Sequence, residues 1–343
     1  MQRRLARGAR TIAALLTLLG AQAAGAADFY AGKTIRITLG SDPGGGQDLH
    51  ARILASHLGR FIPGRPTIVV QNMPGAAGLT AINYAFNVAG KDGLELGLFN
   101  RDALLTPLID PAAAKFRPEK FNWIGTPTSY ADDAYLILVR SSLGYRTMDD
   151  VRKASPPINI AAHGTPLIPL VKDGLGASAN IITGYRSSSE AILAFQRKEV
   201  DGIGASYVNL SRRNADWVTT GLVRLIVQFG HDKRLSALPD VPTGRELART
   251  PDDLALVKLT ELSLIFGFPI ALPPDVAADR VAELRRAFSQ TMTDAEYRAA
   301  LEKAGLEYSP RSGEDLTADM QEAMAMRPDV IVRYKAMLGE KAP

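Results

Sequence analysis

Two segments of this sequence place small residues where a strand runs into a helix. They are Asp42-Pro43-Gly44-Gly45-Gly46 and Asn72-Met73-Pro74-Gly75-Ala76-Ala77-Gly78. Backbone N–H groups at the start of a helix have no partner inside it, and the helix dipole adds positive charge there. Such a junction suits a carboxylate or a phosphate, and glycine lets the main chain approach a ligand closely. One turn of this kind is usually just a tight connection. Two in succession, in a chain without a complete catalytic motif, point to a ligand cleft outside the carboxyl ends of the strands of an open α/β sheet.

Competing chemistries fail on spacing. A phosphate loop needs G-x-x-x-x-G-K-S/T; Gly32-Lys33-Thr34 supplies the end, but Ala27 stands where the first glycine belongs. The dinucleotide pattern G-x-G-x-x-G breaks at Leu49. Gly204-Ala205-Ser206-Tyr207-Val208 approaches the hydrolase elbow G-x-S-x-G but lacks its second glycine. The four histidines, His50, His57, His163 and His231, show no paired metal-ligand spacing. His50 and His57 are seven apart on one helix, too far for one ion, and are read as solvated or capped; His163 sits in a strand-end loop, where clefts form. With no cysteine, disulfides, thiolate catalysis and Cys-ligated metals are excluded. No metal and no cofactor are expected.

The elements that position these residues alternate. Thr34–Leu39, Thr67–Val70 and Leu94–Phe99 are expected strands; helices start at Asp48, with Leu49, Ile53, Leu54 and Leu58 on one face, and at about Leu79. Tyr135–Val139, Ile158–Ala161, Ile181–Thr183, Gly202–Ala205 and Val223–Phe229 are further strands, with helices over Met148–Lys153, Leu167–Leu175 and Glu190–Arg197. Near the C-terminus, Val281, Leu284, Phe288 and Met292 share one helical face, and Leu316, Met320 and Met324 another. The class is α/β. No flexible linker interrupts it, which suggests two lobes joined by crossing strands.

Charge is uneven. The chain carries 40 Lys+Arg against 36 Asp+Glu, but four arginines and no acid lie in the first 27 residues, so the remainder is neutral. This argues against a nucleic-acid partner. The charged head, the short apolar run Thr11–Leu19 and the small-residue tail, with Ala21-Gln22-Ala23 or Ala24-Gly25-Ala26 for cleavage, have the layout of a secretory signal over residues 1–27. No later apolar run is long enough for a bilayer span, so a soluble exported protein is expected.

Several motifs together resemble one family. Gly40–Ala55, with Pro43, Gly44, Gly45, Asp48, Ala51 and Arg52, resembles the first strand-turn-helix of the tripartite tricarboxylate transporter substrate-binding proteins, the Bug or TctC type. Val70–Gly78 is similar to their V-x-N-x-P-G-A-G-G, with Ala77 in place of a glycine. Lys91-Asp92-Gly93, Gly184-Tyr185-Arg186-Ser187-Ser188, Val200-Asp201-Gly202 and Arg234–Leu247 follow in the family's order. The resemblance implies a two-lobed periplasmic binding protein of type II, with residues 28–130 and 235–343 in lobe 1 and 131–234 in lobe 2. It implies a small organic acid or amino-acid-like ligand, large and small membrane transporter subunits as partners, and a monomer.

Carried over, Gly44, Gly45 and Gly46 form the first ligand loop and Ala76, Ala77 and Gly78 the second, with Asp48 a helix cap rather than a contact. His163, Gly164, Thr165, Tyr185, Arg186, Ser187 and Ser206 come from the second lobe. Arg186 and Arg101 are candidates for bidentate pairing with a carboxylate. Asp42, Asp102 and Asp132-Asp133 add acid near the cleft, so either the ligand carries an amino or amide group, or Asp42 pairs with Arg101 or Arg186. The rival readings are a secreted hydrolase built on Ser206 and His163, and a sensor subunit that presents its ligand to a membrane kinase.

Overall fold

The computed structural model describes residues 29–130, 133–163, 165–185 and 188–339. The expected signal segment, Gly164, Arg186, Ser187 and Asp132 lie outside them. Two mixed sheets organise the chain. The first contains β1 (Thr34–Leu39), β2 (Thr67–Asn72), β3 (Glu95–Leu98), β4 (Asn122–Thr126), β10 (Ile270–Leu272) and β11 (Arg311–Ser312), in the order β11-β4-β10-β3-β1-β2. The second contains β5 (Tyr135–Arg140), β6 (Ile158–Ala161), β7 (Ala179–Ile182), β8 (Gly202–Ser206) and β9 (Val223–Phe229), in the order β7-β6-β8-β5-β9. The chain crosses between the sheets from β4 to β5 and again from β9 towards β10.

Period-two alternation assigns each strand face. In β5, Leu136 and Leu138 join one apolar cluster while Ile137 and Val139 join another. Helices α1 (Gly46–Leu58) and α2 (Leu79–Asn87) follow β1 and β2, and α3 (Leu167–Asp173), α4 (Ser188–Gln196) and α5 (Tyr207–Arg213) connect strands of the second sheet. Then come α6 (Pro251–Phe266), α7 (Ala278–Thr293), α8 (Ala295–Lys303), α9 (Gly313–Met324) and α10 (Pro328–Met337). No helix among the described residues is long and apolar enough to cross a membrane.

Helix α6 does not follow an amphipathic pattern because it is buried on most sides. Thr250 caps it by accepting from Asp253 N, and Pro251 occupies its first turn. Its Leu256, Val257 and Leu259 pack in one continuous cluster with Phe99 and Trp123 from the first-sheet side and Ile160, Val227 and Phe229 from the second. One helix thereby ties both halves together behind the space between them. It stops at Gly267, where a Cβ would fall 1.6 Å from the Thr128 carbonyl oxygen.

The buried face of α1 differs from expectation. Leu49 is exposed, and Gln47, Asp48, His50, Ala51, Leu54 and Leu58 are buried. Polar partners cause this: Gln47 Nε2 donates to the Leu98 carbonyl at 3.2 Å, and Asp48 is satisfied by three donor groups. His50 is neither solvated nor capped. It is 2% exposed, packs against the Phe268 ring, and its Nδ1 has no hydrogen-bond partner among the described residues.

Candidate functional site

The first glycine-rich turn is shaped from inside α1. The helix begins at Gly46 with Gly45 as its N-cap, and no side chain caps it. Asp48, in the first turn, reaches back: Oδ2 accepts from Gly44 N at 2.9 Å and Arg52 Nε at 2.8 Å, and Oδ1 accepts from Asn72 Nδ2 at 2.9 Å. Asn72 Nδ2 also donates to the Ser41 carbonyl, and Asn72 Oδ1 accepts from Arg52 Nη2. Asp48, Arg52 and Asn72 thus form a brace that locks the start of the second turn to the first. The Arg52 guanidinium, with Gly44 N and Asn72, lowers the Asp48 carboxyl to about 2 against the opposing effect of burial.

The second turn carries four successive positive φ angles: Gly75 at 136°, Ala76 at 46°, Ala77 at 53° and Gly78 at 98°. Left-handed alanine is strained by about 1–2 kcal/mol. The Gly78 N–H donates to Gly75 O at 2.9 Å, and Asn100 Nδ2 to Ala77 O at 3.2 Å, holding the turn closed. The two turns meet at Gly40, where a Cβ would lie 2.6 Å from Gly78 Cα.

Between the sheets lies a cavity of about 350 Å³. Arg101, Asp102, Tyr130, and Ser263 and Leu264 of α6 line one side. Tyr135, His163, Thr165, Ser206 and residues of α4 and α5 line the other. Of the expected site residues, the structure brings Arg101, His163, Thr165 and Ser206 to this cavity, together with Asp102. Asp42, Gly44–Gly46, Ala76–Gly78 and Tyr185 are not on its wall; Asp42, Gly44–Gly46, Ala76 and Ala77 are exposed, Tyr185 is half-buried, and Gly78 is buried under the second turn. Asp42 forms no salt bridge with Arg101.

His163 Nδ1 lies 3.0 Å from the Tyr185 carbonyl oxygen, so that nitrogen carries the proton and donates. Arg101 makes no ion pair among the described residues. The cleft walls raise the Asp102 carboxyl although the residue still reaches water, and Arg101 opposes the rise. Burial, then Glu307, push the Tyr130 hydroxyl above the ordinary phenol range. The surrounding walls and Asp133 raise Glu307, with Arg101 and Arg212 opposing, although its side chain too remains exposed.

Ser206 is committed elsewhere. Its Oγ donates to Asp133 Oδ2 at 2.6 Å and accepts from Asn209 N, capping α5. Its φ of −67° and ψ of 140° are ordinary extended backbone, unlike a strained nucleophile elbow. No histidine hydrogen-bonds to it: His231 Nε2 bonds to the Asp133 carbonyl oxygen, and His57 Nδ1 faces the Ile53 carbonyl and Ser56 hydroxyl.

The sequence reading missed Tyr130, Tyr135, Asn209, Leu210, Arg213, Trp217 and Ser263 on the cavity wall. A signal existed for three of them: counted from Ser206, the spacing to 209, 210 and 213 traces one helical face, whereas Trp217 lies beyond the break at Asn214.

No protein-family model matches the chain. A Cupriavidus necator protein described as a UPF0065 protein in the gbd 5' region is 25% identical over 327 residues, covering 90% of each chain. A TctC solute-binding protein from Polaromonas, solved without ligand, has a TM-score of 0.69 at 20% identity, covering 90% of this chain and 99% of that one. MatC from Rhodopseudomonas palustris with bound malate has a TM-score of 0.53 at 21% identity, covering 87% and 99%. The fold is therefore that of the two-lobed TctC-type binding proteins, and the same group of proteins is reached from the motifs and from the structure.

Proposed function

We propose that this chain is a periplasmic solute-binding protein of the TctC or Bug type, a receptor rather than an enzyme, which holds a small carboxylate between two lobes for a tripartite tricarboxylate-type transporter. Lobe 1 takes residues 28–130 and 235–343 and lobe 2 takes 131–234. Residues 1–27 direct export, and the mature receptor works as a monomer with the membrane subunits.

The observation that carries the reading is Arg101: a cation without an ion pair among the described residues, half-buried on the wall of a cavity between two sheets. A guanidinium in that position suits a carboxylate. Supporting it, the space in front of Gly44 and Gly46 holds no protein atom within 4 Å of where a Cβ would stand. Gly44 needs its φ of 87° and its N–H is taken by Asp48, but neither φ nor a clash demands a glycine at position 46, so closure of the lobes would bring the backbone at the start of α1 towards the solute. Malate bound to MatC, which shares the fold, supports an acid as the cargo. Asp102 and Glu307 beside Arg101 favour a solute with few negative charges or with a donor group of its own.

Isothermal titration of the mature protein with a panel of mono-, di- and tricarboxylates and acidic amino acids tests this. At least one acid should bind with a micromolar or lower Kd. A folded protein that binds none would contradict it.

A further inference from the structure

Three stretches of chain at the edges of the sheets meet at one joint. Residues 126–130 leave β4, Gly230 and His231 follow β9, and Gly267 and Phe268 follow α6 on the way to β10. Thr126, 0% exposed, ends β4. Its hydroxyl donates to the Thr128 carbonyl at 2.6 Å and accepts from Phe268 N at 3.1 Å, so one side chain ties the outgoing stretch to the returning one. Gly267, at φ 56° and ψ −116°, holds a conformation open to glycine and packs on Thr128.

Glu261 of α6 holds the third stretch. It is 0% exposed; Oε1 accepts from Gly230 N at 3.1 Å and Oε2 from Arg245 Nε at 2.7 Å. Arg245 also pairs with Asp232, two positions beyond Gly230. Gly230, at φ 108°, lies against the first stretch: a Cβ there would stand 3.3 Å from Tyr130 Cβ. His231 Nε2 bonds to the Asp133 carbonyl oxygen on the same side. Ser263 and Leu264, between Glu261 and Gly267 on α6, line the cavity, as does Tyr130; Thr126, Glu261, Gly230 and Gly267 do not. The joint therefore stands directly behind the cavity wall.

A rotation between the two sheets is absorbed by a few backbone positions where the chain passes between them. A buried carboxylate that loses one of its donors is left half-satisfied at high cost, so Glu261 favours the geometry in which Gly230 and Arg245 both reach it. The Thr126 hydroxyl does the same for Thr128 and Phe268.

We propose that Thr126 and Glu261 are positioning residues of an interlobe hinge, which fix the angle between the lobes, and so the width of the cavity, without touching the solute. The consequence for a solute rests on the receptor reading above; the angle itself does not.

The chain has no cysteine, so Val88→Cys and Val218→Cys place one spin label on each lobe, at exposed side chains. The distance distribution between the labels is measured by double electron–electron resonance on the mature, solute-free protein. Thr126→Val keeps the shape and removes the hydroxyl; the distribution should shift by several ångströms or broaden, and Thr126→Ser should restore that of the parent. Glu261→Ala should also displace it, with Glu261→Gln, whose amide oxygen still accepts from Gly230 N, between the two. Ile35→Ala, in the apolar cluster at the start of β1, should lower stability and leave the distribution in place, which separates positioning from support of the fold. A parental distribution in folded Thr126→Val or Glu261→Ala overturns the proposal, as does a Thr126→Ser distribution displaced as far as that of Thr126→Val. Thr126→Val, a change of equal volume, decides the matter should Glu261→Ala not fold. No solute is present, so the result stands apart from whether any acid binds.

Discussion

Ser206 Oγ lies 2.6 Å from Asp133 Oδ2 and donates its proton there. The same carboxylate accepts from Val208 N and Ala134 N through Oδ1, so Asp133 fastens the start of α5 to the strand entering the second sheet. The serine hydroxyl is therefore a structural donor at a lobe junction, and not a nucleophile awaiting a base. Ser206→Ala should lower stability by about 1–2 kcal/mol, through a lost charge-assisted bond and a lost helix cap. Generic ester turnover by the parent protein should be at background and unchanged by the substitution. Thermal unfolding and a nitrophenyl-ester assay check both statements, and turnover that disappears in the variant would revive the hydrolase reading.

The left-handed second turn makes a separate prediction. Ala77→Gly removes the penalty of a positive φ and should stabilise by about 0.5–1 kcal/mol after the unfolded-state cost of glycine. Gly40→Ala should do the opposite, because its methyl would meet Gly78 Cα at 2.6 Å and drive the two turns apart. Urea midpoints at constant m-value measure both. A destabilised Ala77→Gly would show that the turn is not strained.

Acid should weaken the protein in two windows, both set by α1. Burial lowers the His50 pKa from 6.5 to about 4. Between those values the unfolded chain binds a proton that the folded chain refuses, so stability is full above pH 6.5 and falls as pH drops towards 4. The slope is at most about 1.4 kcal/mol per pH unit. Asp48, lowered from 3.8 to about 2, acts next: its stabilisation is full above pH 3.8 and is lost as pH falls towards 2. His50→Leu should flatten the first window and leave the second. Asp48→Asn should cost about 1–2 kcal/mol at neutral pH and flatten the second. Unfolding free energy measured from pH 8 to 2 distinguishes these outcomes.

How much of this was legible in the sequence depended on local pattern. The strands β1, β6 and β9 match their expected bounds because alternating or continuous apolar runs end at turn residues. The faces of α7 and α9 were readable from 3.6-residue spacing. Strand β4 and helix α6 were not expected. Asn122–Thr126 is short and contains a glycine, and α6 is buried on most sides, so neither carries a period. The turn brace was visible as residue types, but its bonds needed the fold: Asp48 and Asn72 stand 24 positions apart. Among the described residues, four of the expected ligand residues, Arg101, His163, Thr165 and Ser206, line the cavity, since which strand ends face one another depends on how the two sheets are set, and no local signal encodes that.

The central claim is that a carboxylate is held between the lobes by Arg101. Thermal unfolding of the parent protein and of Arg101→Ala, each with the same panel of acids, tests it most directly. A ligand at about 100 times its Kd stabilises by about 2.7 kcal/mol, so at least one acid should raise the parent Tm by several degrees. Arg101→Ala, which removes a half-buried cation that makes no ion pair among the described residues, should change the ligand-free Tm little and lose most of that rise. A rise of equal size in both proteins, or no rise with any acid, would contradict the account.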